Sequence, residues 1–233
     1  MSNDRQTVCI TGAAGHLGAA VAAWFARQGA RLVLLDRDAE LLRTRFGHLP
    51  DAVLLPADLL DRAAVAAAVA DALARVHHID MLCHLAGGFD MGEPVHETPA
   101  SAWDFMMDLN ARSFIHMAAA VVPPMRAQGR GRIVAVGAAG GLKGGAAVGA
   151  YAASKSALMR LVESMSAELR DDGINVNAVL PSIIDTPPNR AAMPDADVSR
   201  WVAPEALAEV IGFLASDAAR AVHGALVPVL GRV

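Results

Sequence analysis

The sequence contains only two cysteines and no long hydrophobic segment. Cys9 and Cys83 each lie within an apolar stretch that is typical of a strand, which predicts buried, reduced thiols rather than a disulfide framework. Although 54% of the residues are hydrophobic, charged side chains interrupt every long apolar run, so none reaches the roughly 20 residues that cross a membrane. The start of the chain lacks the basic region and cleavage site of a signal peptide. We therefore expect a soluble, cytoplasmic protein with no membrane partner.

Large basic clusters and the usual metal-binding patterns are also missing. The formal net charge is −4, and the only local excess of positive charge is the short stretch RAQGRGR at 126–132. We expect no nucleic-acid partner, because binding to phosphates needs a larger basic surface. The eight histidines are scattered, and even the adjacent His77 and His78 lack the spacing or the nearby cysteines of a metal site. We therefore expect no metal.

Short apolar runs alternate with longer amphipathic ones along the whole chain. This order predicts an α/β protein with a mainly parallel sheet, in a single domain over residues 1–233. Strands are predicted at 7–11, 31–36, 52–57, 80–86, 132–137, 174–180 and 225–230. Helices are predicted to begin near Leu17, Asp38, Asp61, Ala100, Ala150 and Pro204. The proline-rich stretch around 181–200 has no clear period, which predicts a substrate-side loop over the ligand.

A glycine-rich stretch, TGAAGHLG at 11–18, follows the first predicted strand and opens the first helix. Glycines in this context let a pyrophosphate approach backbone N–H groups at a helix N-terminus, although turns of this kind are also glycine-rich for steric reasons alone. Asp36 closes the second strand, where its carboxylate would bind the adenosine ribose and repel a 2′-phosphate. This favours NAD over NADP. Two alternatives stay open, because Asp36 would also serve as a helix cap and the neighbouring Arg37 would accept a phosphate.

The only tyrosine and one of the two lysines are four residues apart, at Tyr151 and Lys155. This spacing places both side chains on one face of a helix. A cation close to a phenol favours the phenolate and lowers its pKa from about 10, which brings proton exchange closer to neutral pH. The pair therefore predicts acid–base chemistry. The alternative is a half-buried aromatic residue beside a solvated lysine.

With these motifs in order, the sequence resembles the short-chain dehydrogenase/reductase family over essentially its full length. The residues that carry the resemblance are TGAAGHLG, Asp36, Asp58, LAG at 85–87, LNARS at 109–113, YAASK at 151–155 and PSIIDT at 181–186. The resemblance implies a Rossmann-type, doubly wound parallel sheet of about seven strands with helices on both faces. It also implies a homotetramer or homodimer.

The resemblance further implies hydride transfer between a nicotinamide and a carbonyl, a secondary alcohol or a quinonoid substrate. Tyr151 would be the general acid or base, Lys155 would hold the nicotinamide ribose and lower the tyrosine pKa, and Asn110 would use a helix distortion to support a water. Together with Tyr151 and Lys155, the expected cofactor-binding residues are Gly12, Gly15, His16, Leu17, Gly18, Asp36, Arg37, Asp58, Leu59, Ala86, Gly87, Ile184 and Thr186.

The sequence departs from the family pattern at the position of the catalytic serine, which is occupied by Ala138. Loss of one such donor removes roughly 3 kcal/mol of transition-state stabilisation unless Lys143, Ser182 or a water replaces it. A site without serine is similar in part to dihydropteridine reductase, although Asn110 is retained here. A second alternative is an NAD-binding regulatory or scaffold protein that has lost turnover. His84 replaces a family asparagine, and we expect it to be a satisfied interior residue.

Large apolar side chains are expected to flank the opening of the site, which predicts an apolar or aromatic small-molecule substrate. The alternative is that they are ordinary core residues. They are Phe89, Met91, Trp103, Met106, Met193 and Trp201.

Overall fold

The structure is a computed structural model that describes residues 5–233. These residues contain one seven-stranded sheet of order β3-β2-β1-β4-β5-β6-β7, in which every neighbouring pair is parallel. The strands are β1 (Thr7–Thr11), β2 (Arg31–Asp36), β3 (Val53–Pro56), β4 (Met81–His84), β5 (Gly131–Val136), β6 (Ile174–Pro181) and β7 (Leu226–Val229). The predicted Rossmann-type α/β fold is confirmed.

Eight α-helices are described in residues 5–233. They are α1 (His16–Arg27), α2 (Ala39–Phe46), α3 (Arg62–Val76), α4 (Ala100–Met107), α5 (Ser113–Gln128), α6 (Gly149–Leu169), α7 (Pro187–Ala192) and α8 (Pro204–Leu214). A π turn, Asp108–Arg112, separates α4 from α5, and short 3-10 turns occur at Val95–Glu97, Ala139–Gly141, Arg170–Asp172, Val198–Arg200 and Asp217–Ala219. None of the helices within this described range has both the length and the apolar character that a membrane crossing requires.

Apolar side chains on both faces of the sheet bury it between two helical layers. Strand β1 is buried at every position, so Cys9 packs into the layer of α3, α5 and α6, whereas Val8 and Ile10 pack into the layer of α1, α2 and α8. Cys83 lies in the second layer, and both cysteines are free and buried, as predicted. The continuous hydrophobic runs of these strands follow from burial on two faces.

The strand order reverses at β1, which lies between β2 and β4. In doubly wound sheets a crevice opens at this point, beyond the carboxyl ends of the strands, and ligands bind in it. The glycine-rich turn follows β1 and the segment 85–88 follows β4, so both lie at the crevice.

Two segments differ from the sequence-based prediction. The helix that begins at Ala100 is not continuous, because the π turn interrupts it and α5 starts afresh at Ser113. The stretch 181–200 is not all loop: the side chain of Thr186 caps α7, and Pro187 occupies the favoured first helical position. After α7, Val202 pairs with Ile184 in an isolated parallel bridge.

Candidate active site

A cavity of about 400 Å³ lies at the strand-order reversal. It gathers residues from the carboxyl ends of four strands together with the start of α1 and residues of α4 and the π turn. Twelve of the predicted cofactor-binding residues line it: Gly12, Gly15, His16, Leu17, Gly18, Asp36, Arg37, Asp58, Leu59, Ala86, Gly87 and Thr186.

The glycine-rich turn forms the floor of this cavity. Gly12 has φ +64°, a left-handed conformation that favours glycine, and a Cβ atom there would approach the backbone of Ala86 to 3.0 Å. At the start of α1, Gly15 is the N-cap, and no side chain of the described residues caps the helix. The first N–H groups of α1 are therefore available to an anionic group.

Gly18 is required for a different reason, which is close packing. A Cβ atom at Gly18 would collide with the carbonyl oxygen of Gly12 and approach that of Ala13 to 2.5 Å. These are backbone atoms, so the turn itself would have to move. In contrast, a Cβ atom at Gly15 would meet only the carbonyl oxygen of Gly12, at 3.3 Å.

We expect Gly18→Ala to lower the free energy of unfolding by about 3 kcal/mol, the upper part of the usual cost of overpacking. Gly15→Ala, the same change three residues earlier, should cost less than about 1 kcal/mol because the neighbouring atom is farther away. Urea denaturation of both variants measures the difference. Equal losses would contradict this account of the turn.

Asp36 is fixed at the edge of the cavity by backbone N–H groups. Its carboxylate accepts hydrogen bonds from the amide of Ala14 at 3.0 Å and from that of Asp38 at 3.3 Å. Asp38, not Asp36, caps α2 by accepting from the amide of Leu41. The alternative of Asp36 as a helix cap is therefore wrong, and Asp36 lines the cavity together with Arg37.

Five further residues line the cavity that the sequence analysis did not identify. Phe105 and Leu109 are four residues apart, so they share one face of the helical segment before Asn110, and this spacing was a usable signal. Ile184 does not line the cavity: its side chain packs, partly buried, against the core layer of α1, α2 and α8, and its backbone pairs with Val202. The five are Ala57, Leu60, Leu85, Phe105 and Leu109.

Asn110 and Lys155 meet where this cavity ends. Both Asn110 Oδ1 and Lys155 Nζ lie within 3.0 Å of the position that a Cβ atom at Gly87 would take. Asn110 is fully buried in the π turn, where its side chain accepts from the amide of Gly88 at 2.9 Å and donates to the hydroxyl of Ser154 at 3.0 Å. The helix distortion that we expected at Asn110 is therefore present in the backbone.

Tyr151 lines a separate small crevice and is not among the residues that line the large cavity. The crevice includes Asp90, Met106 and Val148. The ring of Phe89 packs edge to face on the tyrosine ring, with 4.9 Å between the ring centroids. The hydroxyl of Ser154 donates to the backbone carbonyl of Tyr151 at 2.8 Å, which connects the tyrosine to Asn110 through one serine.

The predicted effect of Lys155 on the tyrosine is wrong for this structure. Burial raises the pKa of Tyr151, whereas the sequence analysis predicts a lower value. Lys155 Nζ donates to the carbonyl of Val136 at 2.9 Å instead, and burial lowers the pKa of this lysine to about 8. Spacing of four residues places the pair on one helix, but it does not decide which way a long side chain extends.

Ala138 is buried at the end of β5, beside the segment that packs on Tyr151 and Lys155. A Cβ atom at Gly140 would lie 3.6 Å from the tyrosine ring, and one at Gly141 would lie 2.9 Å from Lys155 Cβ. Of the candidate replacements for the missing serine, Ser182 donates its hydroxyl hydrogen to the carbonyl of Leu230 at 2.7 Å. Its hydrogen is thus used elsewhere.

The structure places only two of the side chains expected to flank the opening beside Tyr151, namely Met106 and Phe89. Met91 and Trp103 are exposed, and Met193 is half-buried at the end of α7. Trp201 is buried, which fits the alternative that it is a core residue. His84 is also buried with hydrogen-bond partners on both ring nitrogens, as predicted for a satisfied interior residue.

The residues present fit a nicotinamide dinucleotide. The glycines leave a cradle at the open N-terminus of α1, and Asp36 lines the same cavity, which suits a pyrophosphate and a ribose. Gly87, which lines this cavity, lies beside the polar side chains of Asn110 and Lys155.

Comparison with known proteins gives the same result. A model of the short chain dehydrogenase family matches residues 6–197. The chain is 34% identical to cis-4-hydroxycyclohexanecarboxylate dehydrogenase of Sinomonas cyclohexanicum over 95% of this chain and 94% of that protein. It is 35% identical to sorbitol dehydrogenase of Cereibacter sphaeroides over 79% of this chain and 73% of that protein. The crystal structure of levodione reductase superimposes with a TM-score of 0.90 at 30% identity, covering 97% of this chain and 96% of that one. The chain therefore belongs to the short-chain dehydrogenase family, and it is an oxidoreductase that uses a nicotinamide cofactor.

Proposed function

We propose that this enzyme interconverts a carbonyl compound and a secondary alcohol with NAD(H), and that Tyr151 is its general acid or base. The observation that carries the proposal is the junction at Gly87, where a cavity of dinucleotide type meets Asn110 and Lys155. A bound nicotinamide nucleotide supplies or accepts the hydride. The protein's own residues bind the nucleotide and move the proton.

Tyr151 is suited to give a proton to a carbonyl oxygen. The phenol holds a proton at neutral pH and can donate it as negative charge develops on the substrate, although burial raises its pKa and so makes it a weaker acid. Burial lowers the pKa of Lys155 to about 8, so this lysine can exchange a proton close to neutral pH. The side chain of Asn110 makes three hydrogen bonds, two with the backbone of Gly88 and one with the hydroxyl of Ser154. We propose that Asn110 supports a water molecule beside Lys155.

The surroundings of Tyr151 favour an apolar, ring-bearing substrate. Phe89 presents an exposed aromatic ring against the tyrosine, and Met106 and Val148 line the same crevice. The name of the relative from Sinomonas cyclohexanicum describes a cyclohexane ring that bears a hydroxyl. We therefore propose a cyclic ketone or alcohol, with a quinonoid compound as the alternative that the absence of the serine favours.

Nucleotide binding and turnover test the proposal separately. Calorimetric titration with NADH should show binding at one site per chain, and stopped-flow mixing of the NADH complex with cyclohexanones and quinones should show loss of the 340 nm absorbance of NADH. No heat with either NADH or NADPH would overturn the assignment of the cavity. Binding without hydride transfer to any acceptor would overturn the proposed substrates.

The preference for NAD over NADP depends on one carboxylate. We expect the protein to bind NADH about a hundredfold more tightly than NADPH, because Asp36 would repel a 2′-phosphate by several kcal/mol. Asp36→Asn keeps an oxygen for the Ala14 amide but removes the charge, so it should abolish most of this preference. Arg37→Ala in that background should weaken NADPH binding, since Arg37 lines the same cavity. Tighter binding of NADPH by the unmodified protein would contradict the prediction.

The homo-oligomeric state and the cytoplasmic location stay predictions. A groove between α5 and α6 supports the first of them, since Ile115 is 48% exposed there beside Leu161 and Met165. Apolar surface of this kind is characteristic of contacts between subunits.

A further inference from the structure

His84 occupies a position between the two halves of the site. It is the last residue of β4 and has no exposed surface. Its Nδ1 atom lies 3.1 Å from the hydroxyl oxygen of Thr11, at the end of β1, and its Nε2 atom lies 3.3 Å from the hydroxyl oxygen of Ser113, just after the π turn. The imidazole therefore spans the distance between the glycine-rich turn and the segment that carries Asn110.

The hydrogen bonds around this ring have only one consistent direction. Ser113 must donate its single hydroxyl hydrogen to the carbonyl of Leu109, at 2.6 Å, because a carbonyl oxygen can only accept. The Ser113 oxygen is then an acceptor for the ring, so Nε2 carries a hydrogen. A neutral ring with hydrogen on Nε2 has an acceptor at Nδ1, which receives the hydroxyl hydrogen of Thr11.

The hydroxyl group of Thr11 extends this series of hydrogen bonds toward the cavity. The hydroxyl oxygen of Thr11 accepts the backbone N–H groups of Leu85 and Ala86, at 3.2 and 3.3 Å, and both residues line the cavity. A single series of hydrogen bonds, all donated in the same direction, thus runs from these amides through Thr11, His84 and Ser113. It ends at the carbonyl of Leu109, the residue before Asn110.

A charged imidazole is incompatible with this series. Its second hydrogen, on Nδ1, would point at a Thr11 oxygen that already accepts two N–H groups and carries its own hydrogen. Burial and the nearby Lys155 ammonium also oppose the charge, and they lower the pKa of His84 to about 3. The hydrogen-bond geometry and the burial of the ring therefore both favour the neutral form.

We propose that His84 is a positioning residue: a permanently neutral imidazole that fixes the π turn, and with it Asn110, relative to the cofactor-binding edge at Leu85 and Ala86. It touches neither substrate nor cofactor. The proposed effect on catalysis rests on the proposed function of the site, whereas the protonation state of the ring does not.

The first test concerns the unmodified protein and is independent of activity. Long-range proton–nitrogen NMR of the protein labelled with 15N-histidine distinguishes the two neutral tautomers and the charged ring, and His84→Asn identifies the resonances. We expect the neutral ring with hydrogen on Nε2 throughout the range from about pH 5 to about pH 8, where an ordinary histidine titrates. A ring with hydrogen on Nδ1, or a titration within this range, would overturn the proposal.

The second test separates the two ends of the series. Ser113→Ala removes the contact to the π turn and should lower kcat about tenfold while changing the NADH dissociation constant less than about twofold. Thr11→Val removes the contact to Leu85 and Ala86 and should raise that dissociation constant about tenfold. Ser166→Ala is the matched control, because this buried serine of α6 has no hydrogen-bond partner among the described residues and should leave both constants unchanged.

A merely structural role for His84 predicts a different pattern. Both variants would then lose stability without the separation between kcat and nucleotide affinity, and this result would refute the positioning role. Failure of all NADH binding in the unmodified protein would instead refute the proposed function, while the NMR result for the ring would still stand.

Discussion

Replacing Tyr151 with phenylalanine is expected to lower kcat about 10³-fold, the middle of the range for loss of a general acid–base group. The described contacts of Tyr151 are made by its ring, with Phe89, and by its backbone carbonyl, with Ser154. Phenylalanine retains both, so the change deletes the hydroxyl without breaking a hydrogen bond among residues 5–233. The free energy of unfolding should therefore remain close to that of the unmodified protein.

Single-turnover kinetics with a saturating ketone measure this effect directly. Phe89→Leu is the matched control, because it removes the aromatic neighbour and keeps the hydroxyl, and it should change KM more than kcat. A Tyr151→Phe enzyme that retains more than about a tenth of the original kcat would show that another group supplies the proton.

Restoring the missing hydroxyl with Ala138→Ser is expected to raise kcat for ketones about a hundredfold. One well-oriented donor to the developing oxyanion contributes roughly 3 kcal/mol, and position 138 lies beside the segment that packs on Tyr151 and Lys155. Ala138 is buried in an extended conformation that serine also adopts. The gain should therefore cost little stability.

Ala139→Ser adds the same hydroxyl one residue later, on a half-exposed side chain, and should give no increase. The choice of acceptor makes the comparison more informative. A gain with ketones and none with quinones would indicate a natural substrate that delocalises its own charge, whereas no gain with either would refute the assignment of position 138 as the empty donor site.

The sequence predicts the fold well because the pattern of buried strands is local. The bounds of β1 and β2 are as predicted, and every other strand is displaced at its ends by two residues or fewer. The starts of α1 near Leu17 and of α2 near Asp38 are as predicted, but the residue considered as the cap of α2 was Asp36, whereas the structure has Asp38 there. Thr186 followed by Pro187 was an equally clear helix start, but its position within a proline-rich stretch concealed α7.

The sequence predicts the composition of the site better than its electrostatics. The glycines, Asp36 and Asp58 are recognisable because each lies at or just after the end of a strand, and they do line one cavity. The direction of the tyrosine pKa was predicted wrongly, because it depends on burial and on the path of the Lys155 side chain, neither of which spacing reveals. The hydrogen bonds of His84 join three segments that are far apart in the chain, so only coordinates could show them.

The π turn at Asp108–Arg112 has a consequence for the length of this segment. A turn of this kind contains one residue more than an ordinary helical turn, and each residue rotates a helix by about 100°. The wider turn therefore lets α4 direct Phe105 toward the cavity while α5 directs Phe114 and Met117 into the core. Deleting a single residue here would rotate one of these two helix faces by about 100° relative to the other. The number of residues in the turn is therefore constrained more tightly than the identities of most of them.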